Sequence, residues 1–203
     1  MYEYRSASPD DRVAMLERRR RRGFPLHAPP HFLEGKKTYL ITAAISEHQP
    51  WMADEDRRSE LAKEMLDGMR AKGWLVFAWV VLPNHYHFLA NVDLDGFAEL
   101  CRRKHSSLAT RWNRQDRKRG KVWYRYSERK IRSEGHFLGA MNYVFLNPVK
   151  HGYVSDPFDW LTSSLHDAER CTGRSGSFRS VKGIRVKGWG MVGMIERWLE
   201  GRD

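Results

Sequence analysis

The stretch that decides the fold runs from Leu75 to Val92 and reads LVFAWVVLPNHYHFLANV. Its first part, Leu75–Leu82, is a continuous apolar run of the length of a strand. Pro83 and Asn84 then supply residues typical of a turn, and a second strand-length run covers His85–Val92. Two such runs separated by two turn residues predict an antiparallel β-hairpin.

The segments before this hairpin predict one strand and one helix. Thr38–Ile45, with the sequence TYLITAAI, is rich in β-branched and aromatic residues, which favours a strand. Apolar residues recur at four-residue intervals in Asp54–Lys72 and predict an amphipathic helix that ends at Gly73. A strand, a helix and a hairpin therefore follow one another along the chain.

The segments after the hairpin predict a helix, a strand and a further helix. An apolar stripe extends from Asp95 to about Gln115, and apolar and polar residues alternate over Val122–Ile131. The last helix is predicted from Glu134 to about Asn147, because Pro148 disfavours helical backbone in the residue before it. The order β-α-β-β-α-β-α predicts an α+β fold: a ferredoxin-like or RRM-like split βαβ unit with an antiparallel sheet and an added C-terminal helix.

Composition divides the chain into three regions. Residues 1–34 are predicted to be a basic N-terminal arm that includes five consecutive arginines, Arg18–Arg22. Residues 35–166 hold the patterned domain. Residues 167–203 are predicted to be a basic tail rich in Gly and Ser, with a short helix at Met191–Leu199.

Composition also excludes several classes of protein. Hydrophobic residues make up 41% of the 203-residue chain, which is enough for a core and argues against a wholly disordered protein. No apolar run approaches the length of a transmembrane helix or a secretory signal. The two cysteines, Cys101 and Cys171, lack the spacing of a metal site or a disulfide framework. We therefore expect a cytoplasmic protein without a membrane partner.

The positive charge of the chain is concentrated in one segment. The net charge is +11, and residues 102–132 hold thirteen Lys or Arg against two acidic residues, while the rest of the chain is balanced. A local excess of this size suits a polyanion such as nucleic acid, although a solubilising surface would have the same composition. Seven basic residues are candidate DNA contacts: Arg102, Arg103, Arg111, Arg114, Lys121, Arg125 and Arg129.

Aromatic residues are interleaved with these cations and predict contacts with unpaired bases. Tyr124 and Tyr126 are candidates for stacking. Trp112 and Trp123 lie in the same segment, but we expect both of them in the core.

Two pairs of residues have the spacing of a chemical site. His85 and His87 alternate along a strand, so both imidazoles lie on one face and can bind one cation. Tyr143 and Asn147 are spaced i, i+4 and share one face of the last helix. Each pair also has an ordinary structural interpretation, as surface histidines and as helix residues, and spacing cannot show that the two faces meet.

Three motifs together resemble the REP-associated tyrosine transposases, members of the single-tyrosine HUH endonuclease and transposase superfamily. These are VVLPNHYHFLANV at residues 80–92, NYVFLNPVKHGYV at residues 142–154 and DWLTSS at residues 159–164. The resemblance covers roughly residues 25–166. The sequence departs from the family pattern at Phe145, where many relatives have His, and at Leu161-Thr162, where Pro-Trp is usual.

The resemblance implies a site of four residues. His85 and His87 would bind a divalent metal, Mg²⁺ or Mn²⁺, and the side-chain carbonyl of Asn147 would complete the site. Tyr143 would be the nucleophile on the added catalytic helix and would form a 5′-phosphotyrosine. The implied activity is cleavage and rejoining of single-stranded DNA, with palindromic, hairpin-forming repeats as substrate. We expect a monomer or homodimer associated with the nucleoid.

Three alternatives remain open at the level of sequence. One is a domesticated, non-catalytic DNA-binding protein that recognises the same repeats. Another is an RNA-binding module, because the split βαβ pattern is shared with RNA-recognition domains; the paired exposed aromatics typical of those domains are not evident. The third is a plasmid relaxase or replication initiator, which usually has a longer chain or further domains.

Overall fold

The computed structural model describes residues 8–22 and 35–166. The chain divides into two compact units, Met1–Gly35 and Lys36–Asp203. In the first unit a helix, α1, spans Pro9–Arg22 and contains the arginine run, in which Arg20 and Arg21 are exposed. The division into arm, domain and tail stays a prediction. The basic tail, its expected short helix and Cys171 lie outside the described residues.

The described part of the second unit contains four strands, four α-helices and two short 3₁₀ turns, at Ser46–His48 and Pro157–Asp159. The strands and helices are, in chain order, β1 (Lys37–Ala44), α2 (Glu55–Ala71), β2 (Leu75–Val81), β3 (His85–Val92), α3 (Leu94–Gln115), β4 (Ser127–Lys130), α4 (Glu134–Phe145) and α5 (Asn147–Lys150). The helices α2, α3 and α4 begin at side-chain caps, from Asp54, Asp93 and Ser133 respectively. None of the described helices is long and apolar enough to cross a membrane.

The four strands form one antiparallel sheet with the order β2-β3-β1-β4. β2 and β3 are the predicted hairpin, and β1 pairs with β3 so that Thr42 lies opposite His87 and Ala44 lies opposite His85. Strands β1 and β2, which α2 connects, are separated by β3. This is the split βαβ arrangement, so the predicted fold class is confirmed.

Helices cover both faces of this sheet. Successive side chains of β3 alternate between the faces, and Tyr86 is directed to α3, where its hydroxyl lies 3.0 Å from His105 Nε2. Leu89 is directed to the other face and packs in an apolar cluster with residues of α4. That cluster includes Phe137, Met141 and Val144, all fully buried. The added helix α4 is therefore fixed against the face of β3 that carries the odd-numbered residues.

The fourth strand is shorter than predicted. The alternation predicted a strand over Val122–Ile131, whereas β4 covers only Ser127–Lys130 and Trp123 forms an isolated bridge with Ile45. Thr42 pairs with Ser127. Between this pair and the bridge from Ile45 to Trp123, the β4 segment has three residues and the β1 segment has two. The extra residue breaks the alternation, as a β-bulge does.

The end of the last predicted helix is also corrected. The prediction placed one helix from Glu134 to Asn147, ended by Pro148, but α4 ends at Phe145 and a further turn, α5, contains Pro148 at its second residue. Proline is tolerated in the first turn of a helix, because its missing N–H has no helical partner there. Pro148 thus begins a helical turn instead of ending one.

Candidate active site

The two histidines of β3 lie close together beneath α4. The ring centroids of His85 and His87 are 5.1 Å apart, in an edge-to-face arrangement. His87 is 2% exposed and His85 is partly buried. The strand alternation predicted this shared face, and the structure places it against the helix that carries Tyr143.

The two helical residues meet these histidines. The ring centroids of Tyr143 and His87 are 5.0 Å apart, and Asn147 Oδ1 lies 3.2 Å from His85 Nε2. Asn147 belongs to α5 rather than α4, yet Leu146 at the junction keeps a near-helical backbone, so the i, i+4 relation to Tyr143 persists. The structure therefore brings together all four residues that the sequence singled out.

A hydrogen-bond chain fixes the tautomer of His85. Asn84 Nδ2 donates to the backbone carbonyl of His48 over 3.2 Å, which directs Asn84 Oδ1 to His85 Nδ1 at 2.6 Å. His85 Nδ1 must then carry the proton and donate it, because the amide oxygen only accepts. The lone pair of His85 Nε2 consequently faces Asn147 Oδ1, and two acceptors stand 3.2 Å apart.

The second histidine, His87, contacts a hydroxyl group instead of an amide. Its Nδ1 lies 2.7 Å from Thr42 Oγ1, on the neighbouring strand. Its Nε2 is buried and has no hydrogen-bond partner among the described residues, and the same is true of Asn147 Nδ2. Buried polar atoms without partners are unusual in folded proteins, and a bound ion, water or ligand is one way to satisfy them.

Burial also keeps both imidazoles neutral. Removal from water lowers the pKa of His85 to about 4 and that of His87 to about 3, and the positive charge of Lys150 acts in the same direction. For His85 the nearby side chain of Asn147, which would accept a hydrogen bond from a proton-bearing Nε2, offsets part of the effect on the pKa. A neutral imidazole with a free lone pair is the form that binds a metal ion.

These donors fit a divalent metal. Two imidazole nitrogens and one amide oxygen form a mixed set of ligands. A set of this kind differs from a cluster of three or more His, Cys, Asp or Glu side chains, of which the described residues contain none. The 3.2 Å between His85 Nε2 and Asn147 Oδ1 is close to the separation of about 3.0 Å expected for neighbouring ligands of an octahedral ion with bonds of about 2.1 Å.

Four further residues lie around the site that the sequence analysis did not identify. Thr42 and Asn84 orient the two imidazoles, Lys150 places its Nζ 4.9 Å from the Tyr143 ring centroid, and the His151 ring lies 4.9 Å from that of His85. For Lys150 and His151, the cationic and aromatic residues that follow Pro148 were a signal in the sequence. The role of Thr42 depends on strand register, which the sequence does not show.

The candidate DNA-contacting arginines do not gather at this site. Arg102, Arg103 and Arg114 are exposed on α3, which covers the opposite face of the sheet. Arg111, also on α3, forms an ion pair with Glu60 of α2. The remaining candidates, which follow α3 or lie in β4, are exposed: Lys121, Arg125 and Arg129. Their role in DNA binding stays a prediction.

The aromatic residues of the same segment differ in exposure. Trp112 and Trp123 are buried, as expected, whereas Tyr124 is 40% exposed and Tyr126 is partly buried. Tyr124 therefore has a ring surface open to solvent, and its predicted stacking role stays a prediction.

Comparison with known proteins identifies relatives of the chain. A REP-associated tyrosine transposase of Escherichia coli (strain K12) is 29% identical over 100 residues, 48% of this chain and 58% of the relative. A putative REP-associated tyrosine transposase of Haemophilus influenzae (strain ATCC 51907 / DSM 11121 / KW20 / Rd) is 40% identical over 55 residues, 27% of this chain and 31% of the relative. The chain is similar to the REP-associated tyrosine transposases. The resemblance inferred from the sequence motifs is confirmed.

The matches cover less than two thirds of either curated relative, and no family model matches the chain. A solved structure of a REP-associated tyrosine transposase bound to a REP hairpin superimposes with a TM-score of 0.57 at 20% identity, over 71% of this chain and 85% of the other. That likeness shows the fold that the two proteins share.

Proposed function

We propose that the chain is a metal-dependent single-stranded DNA endonuclease and strand transferase that acts through a 5′-phosphotyrosine at Tyr143. One observation carries the proposal: the Tyr143 ring lies 5.0 Å from the ring of His87, whose Nε2 has no hydrogen-bond partner among the described residues. Similarity to proteins named transposases supports the same class of reaction.

The residues that would hold the metal are His85, His87 and Asn147. Mixed imidazole and amide ligation suits Mn²⁺ or Mg²⁺, whereas imidazoles alone would also take Zn²⁺. When bound, the ion supplies charge stabilisation for the phosphate and orients it. Asn84 holds His85 in the tautomer that presents Nε2, and Thr42 Oγ1 contacts Nδ1 of His87, as outer-shell partners of metal-binding histidines do.

Tyr143 supplies the nucleophile. Its phenol oxygen loses its proton and forms a bond to phosphorus, the bond from phosphorus to the 3′ oxygen breaks, and that oxygen takes up a proton to become a free 3′-hydroxyl. The new ester retains the energy of the phosphodiester, so the 3′-hydroxyl of another strand can reverse the step and rejoin DNA. Lys150 Nζ, 4.9 Å from the ring centroid, places a positive charge beside the Tyr143 ring.

Hairpin-forming repeat DNA is the proposed substrate class. The solved relative of the same fold is bound to a REP hairpin, and the present chain has a net charge of +11 with its excess in residues 102–132. Neutralising phosphates with such a segment releases counterions and favours binding. The unpaired DNA beside a hairpin is the part that can enter a site between a helix and a sheet face.

A covalent-adduct assay tests the proposal. The full chain is incubated with Mn²⁺ and a labelled single-stranded hairpin repeat, and denaturing electrophoresis detects DNA attached to protein. We expect the adduct from the parent chain and none from Tyr143→Phe, which lacks the phenol oxygen. Tyr124→Phe, at an exposed tyrosine, is the matched control and should form the adduct.

Two results would contradict parts of this proposal. An adduct from Tyr143→Phe would show that another residue is the nucleophile. Tight binding of the hairpin without an adduct in Mn²⁺ or Mg²⁺ would favour the non-catalytic DNA-binding protein instead.

A further inference from the structure

A row of aromatic rings leads away from the candidate active site. The His151 ring centroid lies 4.9 Å from that of His85. The Tyr153 ring follows at 6.2 Å from His151, with the two planes inclined by only 29°. Trp160 ends the row at 5.4 Å from Tyr153. The rings thus form a continuous path from a proposed metal ligand to the protein surface.

The end of α5 places the two middle rings side by side. Gly152 has a φ of +72°, the left-handed conformation that favours glycine. Its N–H donates to the carbonyl of Val149 over 2.9 Å, and the N–H of Tyr153 donates to the carbonyl of Pro148 over 3.0 Å. These two bonds form a Schellman motif. The turn reverses the chain directly after His151, so the Tyr153 ring returns beside it.

The last ring of the row, Trp160, is fixed by contacts with the rest of the protein. Trp160 Nε1 donates to the carbonyl of Val81 over 3.0 Å, which ties the indole to β2. The guanidinium of Arg58 lies 4.7 Å from the indole centroid, and Arg58 is itself fixed by donating to the carbonyl of Met52 over 3.0 Å. Tyr153 therefore rests on a support with little freedom to move.

The two middle rings face solvent. His151 is exposed and Tyr153 is 41% exposed, although aromatic rings favour burial. Lys150, the neighbour of His151, is exposed and lies against Tyr143. A cation beside Tyr143 and next to exposed aromatic rings is the combination that binds single-stranded nucleic acid, since phosphates meet the cation and unpaired bases stack on the rings.

We propose that His151 and Tyr153 form a stacking platform for the unpaired bases next to the phosphate that Tyr143 attacks. The inference rests on the proposed function for the identity of the strand. The platform holds the bases through their flat faces, so it positions the strand without selecting a base. Trp160 and Arg58 support it from within the protein.

Binding of a single strand without cleavage tests the platform. The full-length Tyr143→Phe chain is titrated, without divalent metal, into a labelled oligothymidylate that carries one 2-aminopurine, whose fluorescence falls on stacking. Adding Tyr153→Leu should raise the Kd about tenfold, within the range of about 5- to 150-fold that loss of stacking with one base supports. The same substitution should abolish the quenching of 2-aminopurine fluorescence. His151→Leu should weaken binding in the same direction.

Three controls separate stacking from other effects. Tyr153→Phe keeps the ring face and should bind within twofold of its parent. Leu75→Ala removes a side chain of similar exposure, 44%, at the opposite end of the sheet, where Leu75 pairs with Asn91, and should also bind within twofold. Binding of a blunt duplex of the same length should not change in any variant, because its bases present no free faces.

Each remaining outcome decides the matter. A Tyr153→Leu chain that binds oligothymidylate within twofold of its parent overturns the platform, as does an equal loss of single-strand and duplex binding. If the unsubstituted chain forms the adduct while Tyr153→Leu leaves single-strand binding unchanged, the platform is wrong and the nuclease proposal stands. If single-strand binding depends on Tyr153 but the unsubstituted chain forms no adduct, the platform stands and the nuclease proposal is wrong.

Discussion

The two faces of strand β3 carry buried histidine clusters that differ in one respect. On the α3 face, the Tyr86 hydroxyl lies 3.0 Å from His105 Nε2, and Cys101 Sγ lies 3.4 Å from His105 Nδ1. His105 also stacks on Trp123, with centroids 4.0 Å apart and planes inclined by 9°. Both ring nitrogens of His105 thus have partners within the protein.

The α4 face leaves its polar atoms open. His87 Nε2 and Asn147 Nδ2 have no hydrogen-bond partner among the described residues. Burial lowers the pKa of His105 to about 3, as it does for His87, so burial and pKa do not distinguish the clusters. What distinguishes them is that both ring nitrogens of His105 have partners, whereas Nε2 of His87 has none among the described residues. A closed network stabilises a core, whereas an open one can accept a ligand.

The largest expected effect separates the two faces by activity. His87→Ala removes a proposed metal ligand and should lower the rate of adduct formation in Mn²⁺ by about 10³-fold, because a metal ion contributes several kcal/mol to the stability of the transition state. Tyr86→Phe, one residue away on the closed face, should keep the rate within about threefold. Single-turnover kinetics measures both. Equal losses in the two variants would show that the contrast between the faces has no catalytic meaning.

The second effect concerns stability against pH. The folded pKa of His105 is about 3, below the ordinary value of about 6.5, so its contribution to stability is fully present above pH 6.5 and is lost as the pH falls toward 3. Between pH 6.5 and pH 5 this loss amounts to about 2 kcal/mol, at about 1.4 kcal/mol per pH unit.

Urea denaturation at the two pH values measures this loss. His105→Phe cannot take up a proton, so its unfolding free energy should fall by about 2 kcal/mol less than that of the parent chain over the same interval. Saturating Mn²⁺ should leave this difference unchanged, since His105 lies on the closed face. A difference that changed with Mn²⁺ would contradict the separation of the two clusters.

The smallest expected effect tests the orientation of the open face. Thr42→Val removes the hydroxyl that lies 2.7 Å from His87 Nδ1 while keeping a β-branched side chain of similar volume. Outer-shell partners of this kind change metal affinity by about 10- to 100-fold, so Mn²⁺ should bind that much more weakly in calorimetric titration. Thr38→Val, at a buried threonine near the other end of β1, is the matched control and should leave the affinity unchanged.

Much of the fold followed from local patterns, and its errors have a common cause. The hairpin, its flanking helices and the order of elements were predicted, because apolar periodicity and turn residues act within each segment. β4 was too long in the prediction, since the extra residue between Trp123 and Ser127 becomes visible only when the partner strand is in place. Pro148 was assigned to a helix end, although it lies in the first turn of α5.

The sequence by itself determined which residues share a face. Periods of 2.0 and 3.6 residues put His85 beside His87 and Tyr143 beside Asn147, and the family motifs indicated their chemistry. Only the tertiary structure decided that these faces meet, because the packing of Phe137, Met141 and Val144 against the sheet sets the position of α4. The same holds for Thr42, which strand register brings to His87, and for the platform, which a turn after α5 assembles. A local period fixes direction within one element, whereas distances between elements depend on how their side chains pack.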